Sequence, residues 1–438
     1  MKKRQEIRVE KLAYRERTKV KITNQKERVK SQTEIVKRAK EETPMDWGWK
    51  ASLIQHLIPV GLMALKELLE SEVQKLAGAW YGRGGKYFRW GKNPGWVYLG
   101  EQKVKMGVPR VRSKDGEEKT LESYRAMQDP KVVDALTLSR VISGISQRKY
   151  ERAVLSVPET FGIKHSSISR RFVRASAYKL RAFLERDLSP YDIVAIVLDG
   201  KTYARHQMVI ALGITLEGEK ILLGFVEAGT ENYKVCRDFL VSLQGRGLKT
   251  DQEILFVVDG AKGLKKGVQT VFGPKAWIQR CQWHKRENVV SYLNKGEQEV
   301  YRHKLQAAYE EPTYEKAKGR LLAIHRELEF VNLSAAASLE EGLEETLTLH
   351  KLGLFRELGI SLKTTNMLEN VNRLLEMTTG RVNYWSSSGH RQRWIATALL
   401  EIEPRLRPIK GCMFLPALRH AMNWKTMAIQ NEYLKNAA

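Results

Sequence analysis

Between residues 191 and 284 the hydrophobic pattern changes period, and that change limits the folds open to this chain more than any other feature. "YDIVAIVLDG", "RHQMVIALGITLE" and "EKILLGFVEAGT" are apolar, β-branched runs with short connections, and such runs read as buried strands. The second and third are joined through Glu217-Gly218-Glu219-Lys220, which suits a hairpin. "NYKVCRDFLVSLQGRG" then takes helical spacing and is ended by Gly245 and Gly247. "EILFVVDG" is a fourth strand, "AKGLKKGVQTVFG" a helix, and "AWIQRCQWHK" a short fifth strand leading into more helix. A three-strand meander followed by helix, strand, helix, strand specifies an α/β domain.

Two of the strands stop at the same dipeptide. "VAIVLDGK" reaches Asp199-Gly200 and "ILFVVDGAKG" reaches Asp259-Gly260. Asp-Gly is a common turn, so each alone reads as a strand running into a bend. The element order together with the position of these acids resembles a ribonuclease H-like fold. In such a sheet the first and fourth strands are neighbours, and the two carboxylates meet in one crevice.

Phosphodiester cleavage needs a nucleophilic water, neutralised phosphate charge and a stabilised leaving oxygen. Two Mg²⁺ ions roughly 3.5–4 Å apart supply all three. Mg²⁺ is a hard ion that prefers carboxylate oxygens. A third acid on a helix would complete the set, and Glu369 in "TTNMLENVNR" is the best placed. Asn366, Glu369, Asn372, Arg373 and Glu376 share one polar face by helical spacing, and Glu376 is the competing acid one turn on. "QRCQWHK" sets Cys281 and His284 in Cys-x-x-His spacing. That is half of a zinc site, but no second ligand pair accompanies it. A pair that packs beside the acids, with His284 near the scissile phosphate, is the better reading.

The chain carries 75 Lys and Arg against 50 Asp and Glu, a net charge of +25. A surplus that large implies a polyanionic partner, most commonly nucleic acid. Two segments offer the contacts. "SGISQRKYERAVLSVPETFGIKHSSISRRFVRAS" reads as helix, turn, helix, the second helix capped by Ser166 or Ser167 and presenting Ser169, Arg170, Arg171 and Arg174. "GRVNYWSSSGHRQRW" interleaves Arg381, Tyr384, Trp385, Arg391 and Arg393 with His390 and Trp394. Cations beside rings suit an unpaired or flipped base, although Trp394 also reads as core.

The remaining parts follow by composition. Residues 1–45 form a basic arm, helical or disordered, and 46–125 hold a helix and a basic β-ribbon without cysteine or histidine in the ribbon. Residues 126–188 contain the helix–turn–helix, 189–285 and 361–405 the α/β domain, 286–360 an all-helical insertion, and 406–438 a C-terminal tail. Cys236, Cys281 and Cys412 cannot make a disulfide framework, so a cytoplasmic location is expected. "ASLIQHLIPVGLMALKELL" is broken by Gln55, His56 and Pro59 and is too short and polar to span a bilayer.

"LDGK", "VVDGAKGL", "QRCQWHKREN" and "TTNMLENVNR", in that order with a helical insertion before the last, resemble the mutator-type family of bacterial insertion-sequence transposases, a branch of the DDE group. "VPRVR" and "FGIKHSSISRRF" are similar to the family's N-terminal half, and the resemblance covers roughly residues 75 to 405. It implies Asp199, Asp259 and Glu369 as the metal-binding triad, for two Mg²⁺ ions with Mn²⁺ as a substitute. Cys281 and His284 become the signature between the second Asp and the Glu, with Asn366, Asn372 and Arg373 in support. It further implies a dimer or larger assembly on two transposon ends. The ribbon and helix–turn–helix would recognise terminal inverted repeats, and the triad would cut strands and join 3′-hydroxyls to target DNA. A non-catalytic DNA-binding regulator on the same fold, or a nuclease that does not join, is the alternative.

Overall fold

The computed structural model describes residues 58–80, 86–153, 160–203, 205–228 and 233–437. The basic arm at 1–45 lies outside the described residues, as does 154–159 in the turn of the expected helix–turn–helix. The chain divides into two compact units. One spans the chain up to Val133 together with Val154–Ile163, and the other Asp134–Ala153 and Lys164–Ala438.

In the first unit, helix α1 (Ile58–Ala77) backs an antiparallel ribbon of β1 (Tyr87–Leu99) and β2 (Gln102–Ser113). Short strands β3 (Glu118–Lys119) and β4 (Thr160–Phe161) pair with β2. Strand alternation sends Val97, Leu99, Val104, Met106 and Val108 to one side. There they bury against Leu65, Leu69 and Val73, which recur at helical spacing on α1. Gly100 and Glu101 both take positive φ, 53° and 67°, as a two-residue hairpin loop requires.

In the second unit, β5 (Ile193–Tyr203), β6 (His206–Thr215), β7 (Lys220–Ala228), β8 (Ile254–Val258) and β9 (Ala276–Arg280) form one sheet in the order β7-β6-β5-β8-β9. β5, β6 and β7 are antiparallel, whereas β8 and β9 run parallel to β5. The expected meander and its two parallel additions are therefore present. Helices α2 (Lys131–Ile142) and α3 (His165–Leu184) precede the sheet in the chain. Helices α4 (Tyr233–Gly245) and α5 (Lys262–Phe272) cover one face, burying Phe239, Leu240, Leu264 and Val268 against Ile196, Leu198 and Phe256. The other face packs on α3 and on helices that come much later in sequence. Burial on both sides explains why the strands read as continuous apolar runs.

After β9 come α6 (Gln282–Val290), α7 (Lys295–Tyr309), α8 (Tyr314–Val331) and α9 (Leu333–Glu340). These helices build a core of their own that reaches Leu347. From Leu349 onward the chain returns to the sheet, where α10 (Phe355–Leu362), α11 (Asn366–Thr379), α12 (Ser388–Ile402) and α13 (Leu415–Ala437) join its second face. Leu415, Leu418 and Met422, in the segment expected to be a tail, therefore close the core. Among the described residues no helix is long and apolar enough to cross a membrane.

Candidate active site

Strand register brings the first residues together. Leu198 of β5 lies beside Val258 of β8, so Asp199 and Asp259 come next along two adjacent parallel strands. Val258 in turn lies beside Arg280 of β9, which puts Cys281 next in the row. The Cys281 amide donates to the Val258 carbonyl at 2.7 Å. Open α/β sheets bind ligands at this carboxyl end.

The two Asp-Gly pairs are not alike. Asp259-Gly260 is a turn, with Gly260 at φ 107° and the Asp259 Oδ1 accepting from the Ala261 amide at 3.0 Å. A Cβ on Gly260 would meet the Arg280 guanidinium at 2.4 Å, so glycine is needed for space as well as for conformation. Asp199-Gly200 does not bend, which corrects the reading of Asp199 as a strand end. β5 continues to Tyr203 because β6 stays hydrogen-bonded to it, Asp199 opposite Ile210 and Gly200 opposite Val209.

Asp199 is buried, and its carboxyl is pushed up to about 7. Burial is the main cause; the charges of Asp259 and Glu369 add to it, and His284 opposes it. His284 is held up to about 9, first by its hydrogen bond to Cys281 and then, against burial, by Asp199 and Asp259. Thr365, fully buried, completes the group. Its Oγ1 lies 3.4 Å from His284 Nδ1 and donates to Cys281 Sγ at 3.8 Å. The sequence reading passed over Thr365. A threonine directly before an amphipathic helix suggests a cap, yet its side chain makes no capping bond and reaches the Cys–His pair instead.

Thr365 fastens the start of α11, and Glu369 stands exposed in that helix's first turn. Glu376 is engaged elsewhere, pairing with Lys201 at 2.7 Å. The acid that couples to Asp199 is thus Glu369. The expected polar face of α11 is divided. Asn366, Glu369, Arg373 and Glu376 are exposed, but Asn372 is buried and lines a small cavity with Tyr203 and Met208. Asn372 sits four residues from Leu368 and so falls on the helix's inward stripe of Leu368, Val371 and Leu375. Arg373 donates to Asn370 Oδ1 at 3.0 Å and approaches Met377 Sδ at 3.5 Å, both on its own helix.

A profile described as Transposase, Mutator family matches residues 48–403. The chain belongs to the Mutator family of transposases. It is 28% identical over 332 residues to the transposase for insertion sequence element ISRM5 of Rhizobium meliloti, which covers 72% of this chain and 79% of that protein. It is 26% identical over 316 residues to the transposase for IS256 in transposon Tn4001 of Staphylococcus aureus, 68% of this chain and 77% of that one. The transposase for IS1201 of Lactobacillus helveticus is 24% identical over 330 residues, 72% and 85% respectively.

For this member of the Mutator family, two of the expected DNA-contacting arginines, Arg171 and Arg391, are buried. Arg171 is buried on α3, because it follows Ile168 by three and precedes Phe172 on the inward stripe. Arg174 donates twice to Asp134 of α2, each at 2.8 Å. Arg170 is exposed and Ser169 half-buried. The helix is capped by Lys164 backbone, so Ser166 and Ser167 fall inside its first turn and cap nothing. Arg391 is buried and donates through Nε to Glu227 at 3.0 Å, with a second, closer bond from Nη2. Arg393 is half-buried with its Nε unpartnered. Trp394 is core against Phe172, and Trp385 packs edge-on against Tyr203 at 5.5 Å. Arg381 and Tyr384 are exposed, Arg381 reaching the Ser143 carbonyl at 3.3 Å.

Among the described residues no set of three His, Cys, Asp or Glu side chains converges closely enough to cage a metal by itself. The donor chemistry nonetheless fits a hard divalent ion. Mg²⁺ is usually held by one or two carboxylates plus waters and substrate phosphates rather than by a closed protein cage. The carboxylates of Asp199 and Asp259, adjacent in register and repelling one another, offer that kind of open oxygen pair.

Proposed function

We propose that this protein is a DDE-type DNA transposase on a ribonuclease H-like fold, with Asp199, Asp259 and Glu369 as its carboxylate triad and divalent magnesium as its cofactor. The observation that carries the reading is the row of Asp199, Asp259 and Cys281 across three neighbouring strands, Asp199 within β5 and the other two just past the ends of β8 and β9, with Glu369 coupled to Asp199 from the helix that Thr365 anchors. The strand order β7-β6-β5-β8-β9 supports the fold assignment. The names of the relatives support the reaction class.

In this reading Asp199 and Asp259 hold the ions, and Glu369 closes the site from α11. Bound divalent ions would supply a more acidic water and neutralise charge on the phosphate. His284 keeps its proton near neutral pH and so presents a cation to a non-bridging phosphate oxygen. Thr365 and Cys281 fix the orientation of its ring. The unlike environments of Asp199 and His284 divide the labour: one releases its proton to receive a cation, the other retains its own. Cleavage of element ends and joining of the 3′-hydroxyl to target DNA, by a dimer or larger assembly on terminal inverted repeats, completes the function. The test is Mg²⁺-dependent nicking and strand transfer on DNA carrying the element's own ends. Asp199→Asn and Glu369→Gln should lose both while keeping end binding. Cutting retained in either variant contradicts the triad, and nicking without joining of a pre-cut end points to a plain nuclease.

A further inference from the structure

Arg280 is the last residue of β9, and strand alternation sends its side chain to the same face as Ile278. There its buried guanidinium lies between two loops. On one side is Gly260, in the turn that follows Asp259, where a Cβ would meet Arg280 Nε at 2.4 Å and Nη2 at 2.8 Å. On the other is Gly342, two residues past the end of α9, where a Cβ would meet Arg280 Nη1 at 2.4 Å. Both glycines take positive φ, 107° and 72°. Two segments more than eighty positions apart thus each present a bare backbone to the same planar group. The two contacts differ in kind. Toward the insertion, Nη1 donates to the Glu341 carbonyl at 2.9 Å, and Nη1 and Nη2 reach Glu341 Oε2 at 3.5 and 3.4 Å. The fully buried Lys285 ammonium of α6 donates to the same carbonyl. Toward Gly260 the contact is one of shape, and Nε has no hydrogen-bond partner among the described residues.

We infer that Arg280 is a positioning residue through which the end of the helical insertion sets the Asp259 turn, and with it the oxygen that Asp259 presents to a divalent ion. The insertion anchors the guanidinium, and the guanidinium is a flat wall for the turn. Asp259 uses Oδ1 to accept from the Ala261 amide at 3.0 Å, so the pose of the turn decides where Oδ2 stands. Arginine suits the position better than lysine, because its planar fork engages a carbonyl and a carboxylate together while its face stays free to pack. The start of α5, just beyond the turn, leans on the same part of the insertion. Lys265 pairs with Glu345, and Lys262 approaches Glu341 at 3.9 Å. Lys262 is exposed, so its pair adds little, and the buried guanidinium carries the link. The inference rests on the reading of Asp259 as a metal ligand, whereas the packing of Arg280 on its turn does not.

The experiment makes two measurements on the full chain in three variants, Arg280→Lys, Gly342→Ala and the control Gly353→Ala. Gly353 also takes positive φ, 74°, but a Cβ there would have open space. The two alanine variants therefore share a backbone penalty, and only Gly342→Ala presses on Arg280. Amide hydrogen exchange of the metal-free chain, read on the peptide 259–265, should quicken by about tenfold in Arg280→Lys and Gly342→Ala and keep the wild-type rate in Gly353→Ala. Mn²⁺ affinity should weaken by about tenfold in the same two variants, the scale on which a residue behind a metal ligand acts. Equal exchange in the two alanine variants overturns the inference, and so does an unchanged rate in Arg280→Lys, which decides alone if Gly342→Ala does not fold. Faster exchange with Mn²⁺ affinity untouched in both variants overturns it as well, since the turn would then move without consequence for the ion. Absence of Mn²⁺ binding by wild type would instead count against Asp259 as a ligand, and the exchange comparison would still score the link between insertion and turn.

Discussion

The strand-end crevice and the segment 381–394 are both rich in charge, and they treat it in opposite ways. In the segment, Arg391 is matched by Glu227, whose carboxyl is lowered although burial alone would raise it, because Ser388 and Arg391 both donate to it. Trp385 and Trp394 interlock around Tyr203 and Phe172. The Arg391 charge is thus matched by a carboxylate of another element, and the result is cohesion between α12 and the sheet. In the crevice, Asp259 and Glu369 act on Asp199 against the opposing charge of His284, and with burial they push the Asp199 carboxyl far above the ordinary carboxylate range. Imbalance of that kind costs stability unless something positive enters, and this is the mark of a site as opposed to a brace.

The contrast can be broken most decisively at the acids. Glu369→Gln should lower cleavage at least about a thousandfold, the scale on which removal of one essential catalytic group acts. Glu376→Gln, which only releases Lys201, should stay within about tenfold, since both partners are largely exposed and such a pair contributes about 0–1 kcal/mol. Equal losses in the two variants would erase the distinction between them. Next in size, Arg391→Ala should destabilise the fold by about 1.5–3 kcal/mol in denaturant titration, because it removes the guanidinium that donates to the half-buried Glu227 carboxylate and leaves it only Ser388 and His206. It should leave the salt slope of DNA binding unchanged, and a changed slope would return Arg391 to the DNA surface.

The balance of the crevice also has a pH signature. Asp199 binds its proton more tightly folded than unfolded, so stability falls as pH rises from about 4 through about 7. Asp199→Asn should flatten that fall, and Mg²⁺ should raise the wild-type melting temperature at pH 8 more than at pH 5. His284 behaves as a cation gaining partners. Its contribution is complete below about 6.5 and is lost as pH climbs through about 9. The smallest effect is expected at Thr365. Thr365→Val should cost about 1 kcal/mol and move the His284 titration followed by NMR, with only a modest loss of rate.

The same contrast explains what could be read from the sequence. The strands were legible because both faces of the sheet are buried and the runs are uninterrupted, and the Asp199–Asp259 neighbourhood followed from parallel register at the ends of those runs. Cys281 and His284 were legible as a pair but not as partners of Thr365, because that contact joins residues more than eighty positions apart. Arg171 and Arg391 are buried where open positions were expected, for a related reason. Helical spacing shows which residues share a stripe, but not whether a stripe meets a carboxylate from another element. Asp134 claims Arg174, and Glu227 claims Arg391 from 164 residues away. Asn372 shows the limit within a single helix, where one polar side chain shares the inward stripe with three leucine and valine neighbours.

The central claim is that the crevice is short of positive charge and takes up divalent ions through Asp199 and Asp259. Mn²⁺ binding followed by electron paramagnetic resonance, on wild type and on Asp259→Asn in the presence of a duplex end, tests it most directly. The account predicts saturable binding in wild type that weakens at least about tenfold in the variant and falls as pH drops below about 7. Equal Mn²⁺ binding by the two proteins across that pH range would contradict it.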